Sequence, residues 1–252
     1  MLGPNMKDTV SALLDVLESQ SLSDISKGLS RLERLLLGLV EDLRQFEHNG
    51  TICSDLDAFV KLQDNFGFNI TSCIVKLYKR DLPKKDFLLL NRNLQGLLLL
   101  HPPSKSVFNR HANMSSFLSL LNRKDDKFLT ITTITTLIHI LLKNYGNYRA
   151  FESGNGCPII IQHLSLTSVF DIDKETQQQQ QQQNRTSPTH SKELDSLEQP
   201  LNFKIIEFLM LYMSEEVDNP NPHTVEMKAD LFRDAFPLID LLIESLSELD
   251  KL

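Results

Sequence analysis

Apolar residues recur along most of this chain at steps of three and four, the spacing of an amphipathic helix. Pro83 begins one of the predicted helices, because proline fits a first helical turn. Pro102 and Pro103 end that helix, because proline cannot donate the backbone hydrogen bond that a helix interior needs. The pattern predicts helices over residues 6–20, 24–46, 55–65, 69–80 and 83–100, then shorter ones at 107–111 and 114–121.

The helix at residues 24–46 allows two interpretations. Its apolar residues, from Ile25 to Leu43, alternate in steps of four and three, which is the a/d pattern of a coiled coil. The pattern lasts less than three heptads, however. We therefore favour a helix that is buried inside a larger helical domain.

Residues 128–142 are ambiguous between strand and helix. The run from Thr130 to Thr136 consists of threonine and isoleucine, which favour strands. The apolar residues nevertheless fall at the helical positions Ile131, Ile134, Ile138 and Leu141. We predict a helix, because the segment that occupies the same register one repeat earlier is a leucine-rich helix.

That register comes from two stretches that resemble each other at an offset of 43 residues. Residues 98–121 read LLLHPPSKSVFNRHANMSSFLSLL, and residues 141–164 read LLKNYGNYRAFESGNGCPIIIQHL. Apolar residues coincide in the pairs Leu98–Leu141, Leu99–Leu142, Phe108–Phe151, Phe117–Ile160, Leu118–Ile161 and Leu121–Leu164. A helical period near this length is typical of armadillo and HEAT repeats, which bury their apolar faces against each other. We therefore expect Phe108 and Phe151 to be core residues.

Residues 171–199 break the helical pattern. They contain seven consecutive glutamines and almost no large apolar side chain, so they cannot bury enough surface to offset the entropy of ordering. We predict a disordered insertion there. Helical spacing resumes at Phe203, and the last two predicted helices, Leu231–Phe236 and Leu238–Leu249, are separated by Pro237.

These patterns predict an all-α fold. Its architecture is an armadillo/HEAT-like right-handed helical-repeat solenoid with one disordered insertion, and residues 1–252 form a single domain. Stacked repeats of this kind present surfaces to partners, which favours binding over catalysis.

Composition narrows the function further. The formal net charge of −7 disfavours nonspecific binding to nucleic acid. No apolar run reaches the length of a transmembrane helix, so we expect no membrane insertion. The three cysteines, Cys53, Cys73 and Cys157, are an odd number without a recognisable secretion signal, which predicts a reducing compartment.

The sequence contains no catalytic motif. Phosphate-binding glycine-rich loops, kinase motifs and zinc-type Cys–His spacings are all absent. Cys157 is followed at once by Pro158 and has no arginine at the distance that a phosphate cradle needs, so we expect a buried structural role for it. We predict no enzyme activity, no cofactor, no metal and no small-molecule substrate.

Two features suit docking or regulation. Lys76, Lys79, Arg80, Lys84 and Lys85 form a basic cluster on an acidic protein, although solvated helix ends also produce such clusters. The candidate partner-binding residues are Lys79, Arg80, Lys84 and Lys85.

The second feature is Ser187, which precedes Pro188 in the predicted insertion. A proline-directed kinase would reach this serine, and phosphorylation would add up to about two negative charges. Ser187 is therefore a candidate phosphosite.

Three segments resemble the fungal cell division control protein 14 family, within residues 8–215. They read SDLDAFVKLQDNFGFNITSCIVKLYKRDL, LQGLLLLHPPSKSVFNRH and NYRAFES. This family is a component of the septation initiation network, distinct from the dual-specificity phosphatase of nearly the same name. The resemblance implies a noncatalytic scaffold that binds a germinal-centre-type protein kinase and promotes septum formation and cytokinesis. It also implies a cytoplasmic protein that is recruited to the spindle pole body.

Two other classes of function stay open. A general armadillo-type adaptor, unrelated to kinase signalling, would bind extended peptides and is expected to repeat exposed asparagine or tryptophan along one helix series; tryptophan is absent. An enzyme would need polar residues that converge on one site, and the sequence does not reveal such a set.

Overall fold

The structure is a computed structural model that describes residues 5–49, 54–123, 126–165 and 197–249. All regular structure in these ranges is helical, which confirms the all-α class there. The helices are α1 (Met6–Leu17), α2 (Leu22–Asn49), α3 (Ser54–Gln63), α4 (Ile70–Ile74), α5 (Lys84–Leu100), α6 (His111–Leu118), α7 (Lys127–Leu141), α8 (Tyr145–Ser153), α9 (Gly156–Ile161), α10 (Glu198–Met213), α11 (Val225–Arg233) and α12 (Ile239–Leu249). Short 3-10 segments lie at Phe66–Phe68, Val75–Lys79, Pro102–Asn109 and Ser119–Asn122.

Internal contacts divide the chain into two compact units. The first unit is Met1–Leu120 with Thr136–Gly154, and the second is Leu121–Thr135 with Asn155–Leu252. Helix α7 begins in the second unit and ends in the first. Among the described residues, no helix combines the length and the hydropathy of a membrane span. The predicted insertion lies outside the described residues except at its end, where Leu197 is described and α10 begins at Glu198.

Helix α7 shows why a threonine-rich run can be helical. The Thr130 hydroxyl donates to the Asp126 carbonyl at 3.0 Å, and the Thr133 hydroxyl donates to the Leu129 carbonyl at 2.8 Å. Each hydroxyl thus bonds the carbonyl four residues earlier, so it has a hydrogen-bond partner although it is buried. The Asp126 side chain also accepts from the Leu129 backbone and caps the helix. The helix predicted for residues 128–142 is confirmed.

In the first unit, α2 packs along α5 in a parallel orientation. The Ser26 hydroxyl donates to the buried Asp86 carboxylate at 2.9 Å, and the Asn93 amide donates to the Leu29 carbonyl at 2.9 Å. Further along, Leu36 lies so close to Gly96 that a Cβ there would stand 3.2 Å from the Leu36 methyl. Residue numbers rise together along both helices, so their directions agree. Because the apolar stripe of α2 is buried in this way, the coiled-coil alternative is not needed.

The order of helical elements recurs at the offset seen in the sequence. The 3-10 segment Pro102–Asn109 follows α5, and α8 follows α7 at positions 43 residues later. Helices α6 and α9 then end at equivalent residues, Leu118 and Ile161. The repeat in the sequence therefore corresponds to a repeat of local structure. Phe108 and Phe151 are both 0 % exposed, which confirms their predicted place in the core.

Two asparagines of the first unit, the half-buried Asn69 and the buried Asn147, join neighbouring helical elements by the same arrangement. The Asn69 amide donates to the Gln63 carbonyl at the end of α3, at 2.7 Å, and to the Ser104 hydroxyl at 2.9 Å. The Asn147 amide donates to the Ile140 carbonyl near the end of α7, at 2.8 Å, and to the Lys105 carbonyl at 2.9 Å. Each amide therefore satisfies a helix C-terminus and bonds to the 3-10 segment that follows α5.

Aromatic rings fill the centre of the first unit. Phe117 makes edge contacts with Tyr78 and with Phe108, at centroid distances of 5.1 and 6.0 Å. The Tyr78 hydroxyl donates to the Asn91 side chain at 2.7 Å, so its polar end is satisfied inside the core. Burial raises the pKa of Tyr78 well above its ordinary value.

The second unit has its own aromatic core. The Tyr212 ring stacks on Phe208 and meets Phe232 edge-on, both at 5.7 Å. The Cys157 sulfur lies 3.7 Å from the Tyr212 hydroxyl. α9, α10 and α11 are thus held together around one tyrosine.

A buried ion pair organises the loop between α10 and α11. The Lys228 ammonium lies 3.2 Å from the Glu216 carboxylate, and both side chains are 1 % exposed. Lys228 also donates to the Ser214 carbonyl at 2.8 Å, while Glu216 accepts from the side chain of Asn219 and the backbone of His223. The ion pair therefore connects α11 to both ends of the loop.

The penultimate helix differs from the prediction. We placed it at Leu231–Phe236, but α11 spans Val225–Arg233. The Thr224 hydroxyl accepts from the Met227 backbone at 3.2 Å and caps the helix six residues before the predicted start. Pro237 does separate the last two helices, because α12 begins at Ile239.

We expect Phe108→Ala and Phe151→Ala each to destabilise the fold by about 3–5 kcal/mol, because each leaves a cavity where a buried ring was. Phe66→Ala is the matched control, since Phe66 is 79 % exposed, and it should cost less than about 1 kcal/mol. Urea unfolding followed by circular dichroism measures all three. A Phe108 or Phe151 variant as stable as the Phe66 variant would contradict their assignment to the core.

We expect Lys228→Met to cost about 3–5 kcal/mol, because it leaves the Glu216 carboxylate buried without its cation. The double variant Lys228→Met/Glu216→Gln should recover most of that loss. Lys61→Met is the control: Lys61 pairs with Asp57 at 2.6 Å on the surface, and its loss should cost less than about 1 kcal/mol. Equal unfolding midpoints for the two single variants would show that the buried pair contributes no more than a surface pair.

Candidate docking site

The basic cluster predicted from the sequence begins at the 3-10 segment Val75–Lys79. Lys79 is exposed, whereas Lys76 forms an exposed ion pair with Glu18 at 3.0 Å. The Arg80 guanidinium donates to the side-chain oxygen of Gln20 at 3.2 Å and to its carbonyl at 2.9 Å. Arg80 therefore fixes the loop after α1, which gives it a structural role in addition to its charge.

The other two predicted residues, Lys84 and Lys85, lie in the first turn of α5 and are both exposed. The partial positive charge at a helix N-terminus disfavours cations there. The acidic residue of this turn, Asp86, does not compensate at the surface, because it is buried and binds Ser26. Lys79, Lys84 and Lys85 are thus all exposed around the turn into α5, and their role in partner binding stays a prediction.

Ser187, the candidate phosphosite, lies outside the described residues. Its role stays a prediction.

A serine, a histidine and an aspartate converge in the first unit, and sequence analysis missed them. The His101 Nδ1 atom lies 2.8 Å from the Ser104 hydroxyl, and its Nε2 atom lies 2.9 Å from an Asp64 carboxylate oxygen. All three line a cleft of about 640 Å³. Because Asp64 is 37 residues from His101, no local spacing could reveal the set.

These are the residue types of a hydrolase triad, but their exposure is reversed. A triad needs an accessible serine and a shielded aspartate. Here Ser104 is 3 % exposed and accepts a hydrogen bond from Asn69, whereas the Asp64 side chain is 67 % exposed. The arrangement instead holds the ends of α3 and α5 together. It does not present a nucleophile to the cleft.

The two described cysteines are also poor nucleophiles. Burial, together with the negative charge of Glu18, raises the pKa of Cys73 to about 12, so its thiol stays protonated at neutral pH. Cys157 is 1 % exposed and packs against Tyr212, as a structural cysteine would. Among the described residues, no group of three or more His, Cys, Asp and Glu side chains could hold a metal ion.

Comparison with known proteins identifies the family. The family described as "Cell division control protein 14, SIN component" matches residues 53–233. A relative, "Cell division control protein 14" of Schizosaccharomyces pombe (strain 972 / ATCC 24843), is 24% identical over 188 residues, which cover 69% of this chain and 65% of the relative. The match therefore spans slightly less than two thirds of that relative's length. No solved structure matches. Because the family match covers well over half of the chain, the chain belongs to the cell division control protein 14 family of septation initiation network components.

Proposed function

We propose that this chain is a noncatalytic scaffold that binds a germinal-centre-type protein kinase and thereby promotes septum formation and cytokinesis. The observation that carries the proposal is membership of a family described as a component of the septation initiation network. Kinase binding and recruitment from the cytoplasm to the spindle pole body are parts of the proposal. They rest on the family resemblance.

The geometry supports a binding role in two ways. The helical elements recur at a fixed offset, which agrees with an armadillo-type arrangement, and we propose that architecture for the chain. The one serine–histidine–aspartate set found in the described residues has its serine buried, and both described cysteines are buried. These features therefore support a binding role better than a catalytic one.

The second candidate function is a general peptide-binding adaptor. The cleft of the first unit favours it, because polar side chains such as Asn69, Ser72 and Asn113 line a space large enough for an extended segment. This candidate predicts binding that does not depend on the exposed lysines before and at the start of α5. Charge reversal therefore distinguishes it from the kinase scaffold.

We expect charge reversal of Lys79, Lys84 and Lys85 to glutamate to weaken kinase binding by about tenfold or more at low salt, because these cations attract an acidic surface. At about 0.5 M salt the difference should shrink, since screening shortens the range of the interaction. Arg80 is left intact in this variant because it fixes Gln20. Binding is measured by surface plasmon resonance with a purified germinal-centre-type kinase.

The control for that experiment reverses three other surface cations, Lys27, Arg44 and Lys61, and so changes the net charge equally. These cations lie in exposed ion pairs within α2 and α3. Equal loss of affinity in both variants would show that Lys79, Lys84 and Lys85 are not a specific docking site. Failure of the unmodified chain to bind any such kinase would overturn the proposed function itself.

We expect no phosphatase activity from the purified chain, and we expect Cys157→Ser to retain full function in dividing cells. The thiol is buried and Pro158 lacks the backbone N–H that a phosphate cradle would use. The measurements are hydrolysis of a chromogenic phosphate ester and complementation of a septation defect. A phosphatase signal that disappears in Cys157→Ser would contradict the noncatalytic assignment.

A further inference from the structure

Two leucines at equivalent positions of the repeat are exposed in the first unit. Leu99 is 60 % exposed at the end of α5, and Leu142 is 40 % exposed directly after α7. Their chain neighbours Leu98 and Leu141 occupy the preceding pair of equivalent positions and are buried. The repeat therefore places one apolar side chain inward and the next one outward at the same point of two successive helices.

Hydrogen bonds show that these two helix ends lie side by side. The Gln95 side chain of α5, one turn before Leu99, donates at 2.8 Å to the hydroxyl of Thr136 in α7, six residues before Leu142. Beyond them, the Lys105 ammonium donates to the Leu142 carbonyl at 2.8 Å. Lys105 lies in the 3-10 segment directly after α5, so the two bonds together place the C-terminal part of α5 beside that of α7. Neighbouring packed helices lie about 8–10 Å apart, which sets the scale of the separation between the two leucines.

Two lysines border this apolar pair. Burial, and next the nearby charge of Lys143, lower the pKa of Lys105. Lys143 adopts a left-handed backbone conformation with φ of 57°, which is unfavourable for a non-glycine residue. The Lys105 ammonium bonds the Leu142 carbonyl and Lys143 directly follows Leu142 in the chain, so both cations lie beside the exposed Leu142. An anionic group placed between them would relieve their mutual repulsion.

We propose that Leu99, Leu142, Lys105 and Lys143 form a docking surface for an acidic amphipathic helix of a partner protein. Apolar residues at positions i and i+7 of a helix stand about 10.5 Å apart on one face, which fits the separation of neighbouring helices in the scaffold. Glutamate or aspartate beside those residues would pair with the two lysines. The surface is separate from the exposed lysines before and at the start of α5, since it lies at the opposite end of that helix.

The test uses two synthetic helical peptides of about 16 residues with identical leucine positions. One peptide carries glutamate and the other carries lysine at the flanking positions. The chain as a whole has a net charge of −7, so nonspecific attraction would favour the lysine peptide. Fluorescence anisotropy with the full chain should instead show at least about tenfold tighter binding of the glutamate peptide, because local charge decides specific binding.

Substitutions in the chain test whether the glutamate peptide binds at the proposed surface. Leu99→Asp and Leu142→Asp should each weaken binding of the glutamate peptide by about tenfold or more. Each substitution removes an apolar contact and adds a charge that repels the glutamates. Leu241→Asp is the matched control, since Leu241 is 61 % exposed in the second unit, and it should leave binding unchanged. The Lys79, Lys84 and Lys85 reversal should also leave it unchanged. Thermal melting by circular dichroism confirms that every variant remains folded.

The proposal is overturned if the lysine peptide binds better, if neither peptide binds saturably, or if Leu241→Asp weakens binding as much as Leu99→Asp. Analytical ultracentrifugation measures whether the chain associates with itself. Self-association of the chain that Leu99→Asp abolishes would assign the surface to a second copy and would also overturn the proposal. None of these outcomes depends on kinase binding, so they are independent of the proposed function.

Discussion

The fold of the first unit depends on satisfying helix ends that are buried between successive helical elements. The last carbonyls of any helix have no partner within it, and inside a protein they need one. Asn147 supplies donors to the carbonyls of Ile140 and Lys105 at once, and Asn69 plays the same part between Gln63 and Ser104. A leucine in place of Asn147 would pack but would remove the side-chain donor from both the Ile140 and the Lys105 carbonyl. The apolar contacts bring the elements together, and these amides fix their register.

Sequence patterns could predict the parts of the fold that depend on local spacing. The offset of 43 residues placed Phe108 and Phe151 in the core, and it favoured a helix at residues 128–142, where the threonines alone suggested a strand. The start of α11 was missed because Thr224, a capping residue, follows a polar loop and precedes only a short apolar pattern. A single hydroxyl that accepts one backbone hydrogen bond outweighed the apolar spacing at that point.

The parts that sequence could not predict depend on residues far apart in the chain. Lys228 and Glu216 look like ordinary surface charges in the sequence, yet both are buried because each compensates the desolvation of the other. His101, Asp64 and Ser104 likewise meet only through the packing of α3 against the segment after α5. The candidate docking residues could be named from their charge alone. The sequence did not show that Arg80 is bound to Gln20.

The contrast between buried and exposed polar groups bears directly on function. Many buried polar groups of both units, among them Asn93 and Lys228, form hydrogen bonds that join helices to neighbouring elements. Accessible side chains of the first unit include the cations before and at the start of α5 and Leu99 near its end, and these two kinds of group contribute differently to binding. Exposed cations accelerate the approach of an acidic partner and lose influence as salt rises, whereas apolar anchors slow its departure and are little affected by salt. A partner that contacted both ends of α5 would therefore combine rapid association with slow release.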